Sequence, residues 1–226
     1  MNITFDAATL TYDRHTALEP LSLTLVERRI GVIGLNGSGK TSFARLIVGL
    51  SQPTKGRVLL AGLDTVVDAE ALRGRTGFIF QHPANQIVLP IIGDDVALGL
   101  KGKGFGKAEI VEKVEAVLSK LGIAHLQARR PHELSGGELQ LAALAAVLVT
   151  EPDVVIFDEP TNQLDLKNRA QVERAVAGLD SMAIVISHDL ALVEGFDRVL
   201  VFDRGALAFD GEPLEAIQRY REIARR

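Results

Sequence analysis

The sequence predicts an α/β fold: a parallel sheet covered by helices on both faces, with an N-terminal antiparallel β part and an inserted α-helical segment. Three observations carry that prediction. Gly34-Leu35-Asn36-Gly37-Ser38-Gly39-Lys40-Thr41 fits the P-loop pattern, a glycine, four residues, then Gly-Lys-Thr, and it joins an apolar run to an amphipathic one. Short apolar runs alternate with helical patterns along the chain, as in strands that pair in parallel. From about His82 to Pro131 the character changes, and loop-like residues take the place of strand-like runs.

Taken in order, 3–10 and 21–26 alternate apolar and polar positions, as half-buried antiparallel strands do. The run 30–34 is continuously apolar, which suits a central strand buried on both faces. An amphipathic helix is expected over 42–48, a turn at 52–56 and a strand at 57–61. A short strand at 77–81 ends on the polar Gln81. Loop residues and the glycine-rich 101–106 then lead to a helix at about 107–121. A second helix is expected over 135–149, because Ser135 and Glu138 have the Ser-x-x-Glu spacing of a capping box. Beyond it come a buried strand at 154–157, a helix at 168–179 and another buried strand at 183–186. Strands at 198–202 and 206–209 flank the tight turn Asp203-Arg204-Gly205, and 213–226 reads as a surface helix.

Composition narrows the function classes. At 226 residues, 47% hydrophobic and 24% charged, the chain can bury a sizeable core. A net charge of −4 without a block of like charges argues against a broad electrostatic nucleic-acid surface, so no nucleic-acid partner is expected. The absence of cysteine excludes disulfides and thiolate metal sites. The N-terminus lacks the basic and apolar regions of a signal peptide, and the longest apolar-rich run, 139–149, is too short to span a bilayer. The expectation is a protein that stays in solution by itself and meets a membrane only through a partner.

The chemistry is concentrated in three stretches. Glycines let the P-loop curl around a phosphate with its N–H groups inward, and the following helix presents its positive dipole end to the same anion. Lys40 can reach the β- and γ-phosphates, and the Thr41 hydroxyl can bind Mg²⁺. Asp158 and Glu159 directly follow an apolar strand; alone they suit a solvated loop, but beside a P-loop Asp158 suits a metal carboxylate and Glu159 a general base for water. Leu134-Ser135-Gly136-Gly137-Glu138 places two glycines at a capped helix start, where exposed N–H groups and the Ser135 hydroxyl can hold a second anion. A merely well-capped helix would look the same.

The combination resembles the nucleotide-binding subunits of ABC transporters, over essentially the whole chain and with the motifs in that family's order. The resemblance implies a RecA-like P-loop NTPase core at 1–84 and 151–226, a helical subdomain at 85–150, and no further C-terminal domain. It implies that Gly34, Asn36, Gly37, Ser38, Gly39, Lys40, Thr41 and Ser42 hold ATP, with Lys40 also catalytic. Leu-Ser-Gly-Gly-Glu resembles the signature motif, a variant of the commoner form ending in Gln, so Ser135, Gly136, Gly137 and Glu138 would face the ATP of a second subunit. Gln81 would be the Q-loop glutamine beside Mg²⁺ and the attacking water, 161–165 the D-loop ending at Asp165, and His188 the switch histidine. Tyr12 would stack on adenine. One departure is Leu141, where the family usually has a basic residue.

His82-Pro83-Ala84-Asn85-Gln86, followed by Gly93-Asp94-Asp95-Val96-Ala97-Leu98-Gly99, resembles the ATPases of energy-coupling-factor importers. The compact form is most similar to ATPases of biotin importers, with cobalt and nickel importers next. This resemblance implies an ATP hydrolase that is peripheral on the cytoplasmic face of the cell membrane. Its partners would be a transmembrane coupling subunit and a substrate-binding membrane protein. The working dimer would be two copies or a pair with a paralogue. A soluble ATPase of the same type acting on nucleic acid or ribosomes, and a regulatory module without turnover, are the competing readings.

Overall fold

The computed structural model describes residues 1–13, 15–162 and 164–226. The chain opens with β1 (Ile3–Tyr12) and β2 (His15–Leu25), which pair antiparallel. Then come β3 (Arg29–Gly34), the P-loop, α1 (Lys40–Ile47), β4 (Lys55–Leu60), β5 (Leu63–Asp64), α2 (Ala69–Leu72) and β6 (Thr76–Ile79). Helices α3 (Ile92–Leu98), α4 (Lys107–Lys120) and α5 (Gly136–Leu148) follow. The remainder is β7 (Val154–Asp158), α6 (Leu166–Ala177), β8 (Met182–Ile186), α7 (Leu190–Val193), β9 (Arg198–Asp203), β10 (Ala206–Gly211) and α8 (Pro213–Ala224).

Two sheets result. The first has the order β2-β1-β4-β5, with antiparallel pairs throughout. The second has the order β10-β9-β3-β8-β7-β6; its pairs from β9 to β6 are parallel, and β10 closes the edge as an antiparallel hairpin. This is the expected mixture of a parallel core and an antiparallel β part. Pro20 lies in β2, an edge strand, where its missing N–H costs no ladder bond. The alternation of β1 changes phase at Ala7, a bulge with φ 47°, so Ile3 and Phe5 face the core before it and Ala8 and Leu10 after it.

Helix α1 lies between the sheets. Its Phe43 stacks on Phe5 of the first sheet at 4.9 Å and meets Phe202 of the second at 5.1 Å. The apolar runs of β7 and β8 divide by parity: Val154, Ile156, Ile184 and Ile186 face this core, whereas Val155, Phe157, Ala183 and Val185 face α3 to α6. Burial on both faces explains why those strands read as continuous apolar runs. Ile33, Val199 and Val201 pack with α8 in a third cluster. No helix among the described residues is long and apolar enough to cross a membrane.

Several elements differ from the sequence expectation. Helix α3 occupies part of the stretch read as loop, and α2, α7 and β5 are short elements with no counterpart in that reading. Gly93 and Gly99 flank or enter α3, and seven residues give too short a window for a periodic pattern. Its buried Asp95 instead serves the preceding loop, accepting from the N–H groups of Val88 at 2.8 Å and Leu89 at 2.7 Å. Helix α6 begins two residues before the expected start, because Asp165 caps it by accepting from Asn168 N at 2.8 Å.

Candidate active site

The order β3-β8-β7 brings three carboxyl ends together, which is where open α/β sheets bind ligands. The P-loop leaves β3, Asp158 and Glu159 leave β7, and Ser187-His188 leave β8. Gln81 lies two residues past the end of β6, beside β7. A cavity of about 830 Å³ forms at this edge, lined by Tyr12, Asn36, Gly37, Ser38, Gly39, Lys40, Thr41, Ser42, Gln81, Asp158, Glu159 and His188.

The loop's conformation demands glycine where it meets its neighbours. Gly39 sits at φ 102°, and a Cβ there would lie 2.6 Å from Ala17 O. Gly34 lies below the cavity, and a Cβ on it would come within 2.3 Å of Phe202 O. The loop is braced from behind by Gly205 N, which donates to Ser38 O at 3.0 Å. Lys40 is buried, and its Nζ donates to Gly34 O at 2.8 Å and Leu35 O at 3.0 Å, so the ammonium stays over the loop. Burial pushes the Lys40 pKa down, while the nearby Glu159 and Asp158 carboxylates oppose that shift.

Thr41 Oγ1 lies 3.2 Å from one carboxylate oxygen of Asp158 and 3.5 Å from the other. A hydroxyl and a carboxylate from two elements, with the Gln81 amide at the cavity wall, form a hard oxygen donor set. Among the described residues no cluster of three or more His, Cys, Asp or Glu could form an all-protein metal cage. The set therefore suits a cation that keeps waters and substrate phosphate oxygens among its ligands.

Glu159 has a left-handed backbone, φ 53°, held by its N–H donating to Ile186 O at 3.0 Å. Strain of this kind concentrates at functional sites. Its Oε2 accepts from the His188 backbone N–H at 3.2 Å. Its Oε1 is buried without a hydrogen-bond partner and lies 3.3 Å from His188 Nε2, within ion-pair reach. The same imidazole nitrogen is 3.0 Å from Asn36 Oδ1, which links the histidine to the P-loop. Burial pushes the Asp158 and Glu159 pKa values up; Thr41, Arg45 and Lys40 oppose this at Asp158, and His188 and Lys40 at Glu159. A carboxylate with raised proton affinity at the wall of this cavity suits a general base.

Other expected residues lie apart from this cavity within the chain. Ser135 caps α5 in a capping box: Glu138 Oε2 accepts from Ser135 N at 2.8 Å and from Ser135 Oγ at 2.7 Å. The Ser135 hydroxyl proton is thus engaged by Glu138 rather than presented outward. Gly137 is buried, and a Cβ on it would lie 2.1 Å from Asn168 Cγ, whereas a Cβ on Gly136 would meet nothing within 4 Å. Leu141 is buried in the helical cluster, so this position is a packing site. Asp165 caps α6, and Gln163 of the 161–165 stretch lies outside the described residues.

Tyr12 stands half exposed at the rim, its hydroxyl 3.3 Å from Ser51 Oγ. The cavity also includes His15, Ala17, Arg169, Ser187 and Asp189, which the sequence reading did not assign. Asp189 adjoins His188 and was findable by adjacency. Arg169 carries no local signal, since only the fold brings α6 to the end of β8.

The comparisons agree with this geometry. The model of the family described as ABC transporter matches residues 18–162. The chain is 60% identical over 224 residues to the biotin transport ATP-binding protein BioM of Rhizobium etli, covering 99% of this chain and 100% of that one. It is 38% identical over 189 residues to the energy-coupling factor transporter ATP-binding protein EcfA1 of Halalkalibacterium halodurans, covering 81% and 68%. The solved structure of cbiO1 from Clostridium perfringens, part of the ABC transporter complex cbiONQ, superposes with a TM-score of 0.85 at 28% identity, covering 99% of this chain and 92% of that one. These findings bear out the resemblance drawn from the motifs: the chain belongs to the ABC transporter family, as one of its ATP-binding and ATP-hydrolysing subunits.

Proposed function

We propose that this chain energises uptake of biotin as the ATPase of an energy-coupling-factor importer, bound peripherally to the cytoplasmic face of the cell membrane. The observation that carries the reading is the full-length similarity to a biotin transport ATP-binding protein. In this reading 1–84 and 151–226 form the nucleotide-binding core and 85–150 the helical subdomain.

The P-loop from Gly34 to Ser42 binds the phosphates of ATP, with Lys40 on the β- and γ-phosphates and Tyr12 against adenine. Thr41, Asp158 and Gln81 would hold Mg²⁺, which would supply charge neutralisation at the phosphates. Glu159 accepts the proton of the attacking water, and His188 fixes the carboxylate and meets the γ-phosphate side. Ser135, Gly136, Gly137 and Glu138 serve the ATP of a second subunit, and Asp165 holds the connecting loop to α6. Two subunits then enclose two ATPs head to tail. ATP favours the closed dimer and hydrolysis reopens it, and that motion passes to the transmembrane partner.

The test is purification of the tagged full chain from detergent-solubilised native membranes, with mass spectrometry of its partners and uptake of labelled biotin. A transmembrane coupling subunit, a small substrate-binding membrane protein, and biotin uptake lost with Lys40→Ala are expected. Uptake of cobalt or nickel in place of biotin would overturn the substrate. Ribosomal or DNA-repair partners without a membrane protein would overturn transport itself.

A further inference from the structure

We propose that Arg169 is a positioning residue for His188, tying the first turn of α6 to the turn that carries the histidine. The inference rests on the reading of His188 as a residue needed for turnover.

Arg169 sits in the first turn of α6, where its N–H donates to Asp165 O at 2.9 Å. Its guanidinium is aimed from both ends. Nε donates to Glu173 Oε1 at 2.7 Å, one helical turn along. Nη2 pairs with the carboxylate of Asp189, the residue directly after His188. A planar guanidinium held by two carboxylates has little rotational freedom left, so it fixes the distance between α6 and the Asp189 turn.

Asp189 passes this on to the histidine. Its Oδ1 accepts from Ala191 N at 3.1 Å, which caps α7. Its own N–H donates to Ser187 Oγ at 3.0 Å. Ser187 is fully buried, and its N–H donates to Val32 O at 3.2 Å. The residues on either side of His188 are therefore fixed, one by β3 and the other by Arg169. His188 itself is more exposed, with 43% of its side chain accessible, and its contacts all fall on one ring nitrogen, Nε2, 3.0 Å from Asn36 Oδ1 and 3.3 Å from Glu159 Oε1. A half-exposed ring held through one nitrogen depends on the rigidity of its turn for the rest of its placement.

The same first turn of α6 also touches the signature segment, because Asn168 packs where a Cβ of Gly137 would go. Adjacent residues of one helical turn thus contact α5 through Asn168 and the histidine turn through Arg169.

The experiment measures steady-state ATP turnover by the full chain carrying Arg169→Ala, Arg169→Lys, Asp189→Asn, His188→Ala, and Arg169→Ala combined with His188→Ala. Arg169→Ala is expected to lower kcat by about ten- to a hundredfold, as misplacement of a reacting group does, with KM for ATP unchanged. Arg169→Lys should recover part of the loss, and Asp189→Asn should resemble Arg169→Ala. In the His188→Ala background, removing Arg169 should cost nothing further. Full kcat in both Arg169→Ala and Asp189→Asn, with His188→Ala impaired, would overturn this inference and leave the histidine reading standing. Additive losses in the double variant would show that Arg169 acts elsewhere. Full turnover by His188→Ala would overturn the histidine reading and this inference with it.

Discussion

Gly136 and Gly137 are neighbours in one motif, yet their surroundings are opposite, and we expect their substitutions to behave differently. Gly137 is a packing glycine: a Cβ there would lie 2.1 Å from Asn168 Cγ and 2.4 Å from Asn168 Cβ. The second of these atoms adjoins the backbone, so α5 or α6 must shift. Overpacking of this kind costs about 1–3 kcal/mol, and alanine returns up to about 1 kcal/mol of helix propensity. The shift also strains the bond from Asn168 Nδ2 to Asp165 Oδ2, now 3.0 Å. A bond to a charged group is worth about 1.5–3 kcal/mol, and less at an exposed site such as this. Gly137→Ala should therefore lose about 2 kcal/mol, which for a chain of this length lowers Tm by about 4–8 °C.

Gly136→Ala meets no atom of its own chain within 4 Å. It should hold or raise Tm, by at most about 1 kcal/mol in stability, while losing ATP turnover, because in the proposed dimer its new methyl group would stand where the partner's nucleotide docks. Thermal unfolding and ATPase assays on both variants check this. Equal destabilisation of the two, or full turnover by a stable Gly136→Ala, would refute the division of roles.

Glu159→Gln should stabilise the fold near neutral pH, because burial raises the Glu159 pKa above its ordinary value of 4.5. A raised carboxylate pKa means that the unfolded chain gives up its proton first. Stability is thus lost as pH climbs from 4.5 through the folded-state value. The variant's gain in Tm should be present at neutral pH and vanish below the ordinary glutamate range, and a constant gain at all pH values would contradict this. Asp158→Asn should keep the Thr41 contact and the fold yet weaken activation by Mg²⁺ by at least about tenfold, measured as turnover against Mg²⁺ concentration.

Much of the site was legible because it depends on local pattern. Strands β3, β7 and β8 are buried on both faces and therefore read as apolar runs, and the P-loop, Asp158–Glu159 and Ser187–His188 stand at their carboxyl ends. The Ser135–Glu138 capping box was readable from spacing, and the structure contains it. What escaped was either short or long-range. Helix α3 has too few residues and too much glycine for periodicity to register. The contacts of His188 with Glu159 and Asn36 exist because β8 lies between β3 and β7, and no spacing encodes that order. The Arg169–Asp189 pair likewise joins two helix starts that only the folded sheet brings together.

The most direct test of the account is the mass in solution, by light scattering, of the Glu159→Gln chain with and without ATP, alongside its turnover. No turnover, a dimer with ATP and a monomer without it are expected, because in the proposed mechanism the second subunit completes each site and hydrolysis reopens it. A chain that stays monomeric with ATP while Glu159→Gln hydrolyses at the native rate would contradict both the shared site and the role of Glu159.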